Sequence, residues 1–388
     1  MISRVSPKIK DFLFISAVLL VLLSCRTSLQ GTPPPDTPLP TQTERVVVVT
    51  ATPQPAAEVT HTPPPTDAPT DTAPPPSPTV TATPSSSAGI ISDELYTFKN
   101  HQGMVTSLSW SPDGTRLASG DGIAMIYIWD LETGYQVNSI EGYPEGGGAD
   151  NVAWSPAADI IAASVLDYKV HFWDAESGQE LHSTEPHPVR VVSLAWSPDG
   201  SRVATGDDAG FLGFWDASTG EYLSGIDGRE FFFSTNDLHW HPAGTHIAWG
   251  GLDGNVWIWD QEEDFVTLEG HEDSVYALDF SPAGDRICSG GYDDQLIIWD
   301  VQEQEAIRVL NGHVGGIDAV AWSPDGEVIA SADTSGNIIL WNAATGNMLK
   351  KLYSHDGWVV DLKWSPDGTT LASAGDDGVV RVWGSAEQ

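Results

Sequence analysis

The chain has 388 residues, two cysteines and a formal net charge of −37, with 17 Lys plus Arg against 54 Asp plus Glu. Such acidity argues against nucleic acid and against direct contact with an anionic membrane surface, because phosphate binding depends on basic side chains that displace counterions. Two cysteines exclude a disulfide framework and a thiolate metal site.

Arg4, Lys8 and Lys10 precede an apolar run from Phe12 to Leu23. This is the order of a secretory signal, and the run is too short to cross a bilayer as a mature helix. It ends Leu22-Leu23-Ser24-Cys25. That ending resembles the lipobox of bacterial lipoproteins, which implies cleavage before Cys25 and lipidation of its thiol. The alternative is an ordinary signal peptide that happens to end near a cysteine. Residues 1–24 are therefore expected to be a lipoprotein signal peptide. With Cys25 acylated, Cys288 has no intrachain partner; it lies in the apolar stretch Arg286-Ile287-Cys288-Ser289 and reads as a small buried hydrophobe.

Residues 26–90 hold 16 Pro and 15 Thr. Such a segment buries too little apolar surface to offset its ordering entropy, so 25–90 are expected to be a lipidated cysteine followed by a disordered tether. Its proline clusters favour extended polyproline II. Val46 to Val49 is the one apolar island, read as a featureless part of the linker rather than a transient strand or docking point. The composition would also accept O-glycans.

From residue 91 the sequence repeats. Trp recurs at 129, 173, 215, 259, 299, 341 and 383, a period of about 42 residues. Nineteen residues before each stands another aromatic: Trp110, Trp154, Trp196, Trp240, Phe280, Trp322 and Trp364. Thirteen of the 16 Trp are thus repeat landmarks. Proline follows each second aromatic by two residues, and four units read Ser-Pro-Asp-Gly, at 111–114, 197–200, 323–326 and 365–368. Proline presets a turn and glycine supplies its permissive exit, so with a β-rich run on each side the motif is a hairpin. A further turn follows each terminal Trp, which gives four strands per unit.

These landmarks resemble the WD-repeat β-propeller family over nearly all of residues 91–388. The resemblance implies an all-β fold: seven four-stranded antiparallel blades around a channel, preceded by the linker. The last unit stops one strand after Trp383, so Glu94 to Phe98 should supply its missing outer strand and remove a free sheet edge. The family also carries a buried Trp–Ser/Thr–His–Asp hydrogen-bond tetrad. Full sets are expected in blade five (His271, Ser289, Asp293, Trp299) and blade seven (His355, Ser373, Asp377, Trp383). Blade one has His101, Ser119 and Trp129 with Ile123 at the Asp position; blade three has His187, Thr205 and Trp215 with Ala209; blade six has His313, Ser331 and Trp341 with Ser335. In blades two and four, Glu145 and Phe231 replace the His.

A repeated Ser-His-Asp trio at one blade offset reads as a structural bond, because a catalytic site should occur once. No catalytic residue and no cofactor is expected; P-loop, Rossmann glycine and nucleophile-elbow patterns are missing from the sequence. His239 and His241 alternate on a strand and His246 follows across a turn, a spacing that could hold zinc or copper. These three fall on a solvated hairpin, so exposed histidines are the expectation and no metal is assigned. The acidity, 48 Asp plus Glu against 12 Lys plus Arg from residue 91 on, is largely turn residues and loops and reads as solubility rather than as a cation site.

The family's partners bind on the rim called the top, which the loops entering the first strand share with those between strands two and three. The position three after the tetrad His holds Met104, Arg190, Ser274, Gly316 and Trp358. Trp358 and Arg190 are the leading anchors by residue type, with Met104 and Tyr292 beside them and Phe231, Phe232 and Phe233 as an aromatic side contact in blade four's lead-in loop. The sequence therefore predicts an exported, non-enzymatic scaffold, monomeric, held to the outside of the bacterial cell membrane only by the lipid on Cys25, with protein partners and no nucleic acid. The rival is an exported propeller enzyme or ligand sensor; it requires one asymmetric polar cluster at the channel mouth, which the linear sequence does not display.

Overall fold

The computed structural model describes residues 48–50, 91, 93–123, 125–141, 149–227, 237–261 and 265–385. The expectations for the signal, Cys25, most of the tether and Phe231 to Phe233 lie outside them.

Seven antiparallel sheets follow one another along the chain, as the repeat predicts; five are built wholly from consecutive strands, and two take in one strand from earlier in the chain. Blade one is typical: Val105–Trp110, Arg116–Asp121, Met125–Asp130 and Tyr135–Glu141. The second and third strands are sandwiched between neighbouring blades, which is why they read as near-continuous apolar runs. The outermost strand faces water, and in Glu305–Asn311 only Leu310 is buried. The cores lie between blades. One cluster joins Ala118, Ile126 and Ile128 of blade one to Val152, Trp154 and Ile161 of blade two. Cys288 is fully buried, which raises its thiol pKa well above the usual range.

The Ser-Pro-Asp-Gly hairpins form as expected. Ser111 Oγ donates to Asp113 Oδ1 at 2.6 Å and accepts from the Arg116 amide at 2.9 Å. Gly114 sits at φ +71°, a region that a side chain would strain. Such bonds explain part of the acidity: the hydroxyls of Ser197 and Ser201, with the Ser201 amide, hold Asp199 down at about 2.

The ring closes as predicted. Asp93–Phe98 pairs antiparallel with Val380–Gly384, with Glu94 opposite Trp383 and Phe98 opposite Val380. The apolar island of the tether departs from its featureless reading. Val48–Thr50 adds a fifth strand to blade three, with Val48 opposite Ile226 and Thr50 opposite Ser224. A short run of β-branched residues meets an outer strand whose edge, among the described residues, is otherwise unpaired.

The tetrads of blades five and seven are made. Trp299 Nε1 donates to Ser289 Oγ at 2.7 Å, Ser289 meets His271 Nε2 at 2.8 Å, and His271 Nδ1 meets Asp293 at 3.0 Å. In blade seven the corresponding distances are 3.0, 2.9 and 2.9 Å. Blades one and six correct the sequence reading, for they also have a carboxylate. It is Asp121, 3.0 Å from His101, and Asp333, 2.8 Å from His313, each two residues after the serine rather than four. In blade three the same position holds Asp207, at a looser 3.6 Å from His187. The two solutions exclude each other sterically. Blades five and seven have Gly291 and Gly375 at the position two after the serine, where a Cβ would lie 2.5 Å and 2.3 Å from the histidine Nδ1. Blade four has Trp249 at the serine position, fully buried. Blade two has Ala163 there, while His171 bridges Asp167 at 3.0 Å and Glu180 at 2.8 Å.

Candidate functional site: the central channel and its upper rim

The first strand of each blade lines the channel. In blades one, two, three, five, six and seven this strand carries a register shift near its start, as between Val105 and Ser107 or between Ile317 and Ala319. A bulge leaves one residue unpaired and re-aims its side chain. Thr106, Val192, Tyr276, Asp318 and Val360, each at such a bulge, all face one cavity of about 480 Å3.

Farther along the same strands, the residues one and three before the landmark aromatic also face inward. Asp237 and His239 come from blade four, Asp279 from blade five, Asp361 and Lys363 from blade seven. His239 lies between two carboxylates, 3.3 Å from Asp237 and 3.2 Å from Asp279. Lys363 is 3.4 Å from Asp361. These groups keep a fraction of their surface open to the channel yet have protein on all sides. Burial alone would lower the His239 pKa, but Asp237 and Asp279 outweigh it and push it to about 10. Burial would raise Asp237; His239 and Lys363 reverse that and hold it at about 2. Asp361 is pushed up by burial, which Lys363 only partly offsets, while Lys363 is held charged by Asp361, Asp237 and Asp279 against its own burial. The carboxylates also tie blades together. Asp237 accepts from the Leu278 amide at 3.0 Å, Asp279 from Trp322 at 2.8 Å and Asp361 from Leu108 at 2.8 Å.

At the upper end, Tyr276 and Tyr292 pack with ring centroids 4.3 Å apart. The Tyr292 ring lies over Gly316, where a Cβ would meet it at 2.9 Å, so the missing side chain on that rim position makes room for the tyrosine. Asp318 lies beside these rings, and its Oδ2 is buried without a hydrogen-bond partner. Burial pushes Asp318 up to about 7, with Asp333 adding to the rise and Tyr292 opposing it. Met104, 40 % exposed, and Trp358, 37 % exposed, complete this mouth.

The structure thus brings Met104, Tyr292 and Trp358 together from blades one, five and seven. Arg190 is half-buried, engaged with other groups, and does not line the cavity. The three histidines of blade four separate. His239 enters the channel rather than lying exposed, while His241 and His246 stay on the hairpin with rings 5.6 Å apart. Among the described residues no group of three or more His, Cys, Asp or Glu is placed to hold a metal ion. The asymmetric polar cluster that the linear sequence did not display is present, and it belongs to blades four, five, six and seven. Its signal was available: aligning the positions one and three before each landmark aromatic isolates Asp237, His239, Asp279, Asp361 and Lys363. Asp318 gave no such signal, because it reaches the channel through a bulge.

Five stretches, residues 92–130, 232–260, 263–300, 304–342 and 346–384, match the family described as WD domain, G-beta repeat. Residues 152–230 match the family described as Anaphase-promoting complex subunit 4 WD40 domain. None of the curated proteins compared with the chain matches it. With seven antiparallel blades and matches to these two WD40 families touching every one of them, the chain belongs to the WD-repeat β-propellers.

Proposed function

We propose that this propeller is a lipid-anchored, extracytoplasmic interaction scaffold whose upper rim receives a protein partner. WD40 propellers are commonly protein-interaction scaffolds. One observation carries the location: Met104, Tyr292 and Trp358, far apart in sequence, converge on the mouth of one cavity. Tryptophan and tyrosine dominate interface energetics, and exposed apolar side chains such as Met104 and Trp358 on an acidic surface cost solubility unless something covers them. The anchor rests on Leu22-Leu23-Ser24-Cys25, and the Pro/Thr-rich stretch that follows would hold the propeller off the membrane.

The anchor is tested with Cys25→Ala in the full chain. The variant is expected to leave the membrane fraction or to accumulate as an unprocessed precursor. Fractionation and processing like the parent would refute the lipoprotein reading. The rim is tested by affinity capture with the full chain and with Trp358→Ala; capture of the same proteins at the same affinity by both would move the partner site off this rim.

A further inference from the structure

We propose that the outer edge of blade three is a docking site for the chain's own tether, with Val48–Thr50 adding in cis to the strand Tyr222–Asp227 and strapping the tether to this one blade. The docking rests on the pairing itself; only its effect on reach rests on the lipid anchor proposed above.

The tether offers one segment suited to a strand ladder. A ladder needs backbone N–H donors, which proline lacks. Pro40 and Pro53 bound twelve residues without proline, the longest such run between two prolines of the tether. At its centre stand Val46-Val47-Val48-Val49-Thr50, five β-branched residues in a row. Residues of this type favour an extended backbone. The pairing is antiparallel and continuous, with Val49 opposite Gly225 between the pairs Val48–Ile226 and Thr50–Ser224.

Each blade presents an outer edge, so the choice of blade three has a cause of its own. Among the described residues, Tyr222–Asp227 is the only outer strand with a glycine. Glycine weakens a strand and marks places where another backbone comes close. A Cβ on Gly225 would lie 2.7 Å from the Phe211 ring and 2.8 Å from the Tyr222 hydroxyl, so those side chains take the space of the missing one. Gly213, opposite Gly225 on the next strand inward, would meet the Phe211 ring at 3.1 Å. The same outer strand lacks the guards of an edge, having neither proline nor a basic residue. Blade five carries Arg308 on its outer strand, and blade six carries Lys350 and Lys351.

Docking changes what the tether can do. The hydrogen bonds of three residues are of the same order as the entropy of ordering them, so the strap is exchangeable rather than permanent. Attachment within one chain favours docking in cis, because the linked segment meets its acceptor at a high effective concentration. With the strand docked, residues 26–47 alone separate Cys25 from blade three, a reach of at most about 70 Å for an extended chain. Undocked, residues 26–92 extend to about 200 Å. The strap therefore sets how far from the membrane the propeller works.

The test is hydrogen–deuterium exchange of the full chain in detergent, the parent against the double variant Val48→Pro, Val49→Pro. Alternate residues of a strand donate toward the same neighbour, so two consecutive prolines remove the bond whichever of the two donates. Amides of residues 222–227 are expected to exchange at least ~5-fold faster in the variant, with residues 135–141 of blade one's outer strand unchanged. Both substitutions lie outside residues 91–388, so the melting temperature should stay near that of the parent. Equal exchange at 222–227 in the two chains would overturn the proposal. Protection that rises with protein concentration and travels with a dimer in size exclusion would also overturn it, by giving the edge to a second copy's strand. The readout does not use the membrane, which keeps the two failures apart. Equal exchange, with Cys25→Ala still leaving the membrane fraction, refutes docking and spares the anchor; faster exchange in the proline variant, with Cys25→Ala fractionating like the parent, supports docking and removes only its effect on reach.

Discussion

The smallest unit of this fold is a hydrogen-bonded chain of four side chains, solved in two ways. A carboxylate two residues after the serine closes it in blades one and six, and one four residues after closes it in blades five and seven. Asp293→Ala leaves the His271 Nδ1–H without its acceptor and should cost ~1–3 kcal/mol, read as a lower urea midpoint. Adding Gly291→Asp to that variant should not restore it, because the new Cβ would still lie 2.5 Å from His271 Nδ1. Gly291→Asp in the otherwise native chain should destabilise as well, because its Cβ would meet both Asp293 and His271. The same scale holds a pH dependence. His239 is raised from 6.5 to about 10, so its contribution to stability is complete below about 6.5 and is lost as pH rises through about 10. Asp237 is lowered from 3.8 to about 2, so its contribution is complete above about 3.8 and is lost as pH falls through about 2. His239→Gln should therefore flatten the decline of stability between pH 7 and pH 10 in denaturant titrations; an unchanged slope would remove His239 as its source.

Among elements, the closing strand has the clearest energetic consequence. Asp93–Phe98 covers the edge of blade seven, Phe98 is buried against Trp129 and Val380, and Ile91 joins the core between blades six and seven. Removing residues 91–99 takes both side chains out of the cores they fill and should cost ~3 kcal/mol or more from apolar burial alone. A denaturant midpoint equal to the parent would contradict closure by this strand. The bulged first strands act at the same scale. In five blades the bulge turns one extra residue toward the channel, and in blades five and six those residues are Tyr276 and Asp318.

At the scale of the molecule, the ring turns sequence-distant residues into one surface. Trp358 comes from blade seven, Tyr292 from blade five and Met104 from blade one, and only closure of the ring brings the first and last of these together. Trp358→Ala should leave thermal melting near that of the parent, since the ring is 37 % exposed and the blade seven tetrad is untouched. It should weaken partner binding by ~2 kcal/mol or more if the ring is a hot spot. A large drop in melting temperature would show that Trp358 serves packing instead. With a basic partner, the acidic surface should make association faster at low salt, measurable as a salt-dependent association rate.

The repeat period, the turn chemistry and the missing outer strand were legible in the linear sequence because each is local or periodic: Trp fixes the third strand, Ser-Pro-Asp-Gly fixes a hairpin, and a truncated last unit calls for an early strand to complete it. The tetrads were legible where the spacing followed one offset and missed in blades one and six, where a second offset reaches the same histidine through different backbone geometry. The channel cluster needed the tertiary structure. Two-residue alternation assigns a face only while pairing is regular, and one bulged residue shifts that assignment for Tyr276 and Asp318. Charge told the same story at two levels. Composition determined that the protein is acidic, but only the packing of the first strands decided which of the described channel carboxylates meet a cation and that Asp318, on the channel wall, keeps a buried oxygen unpaired.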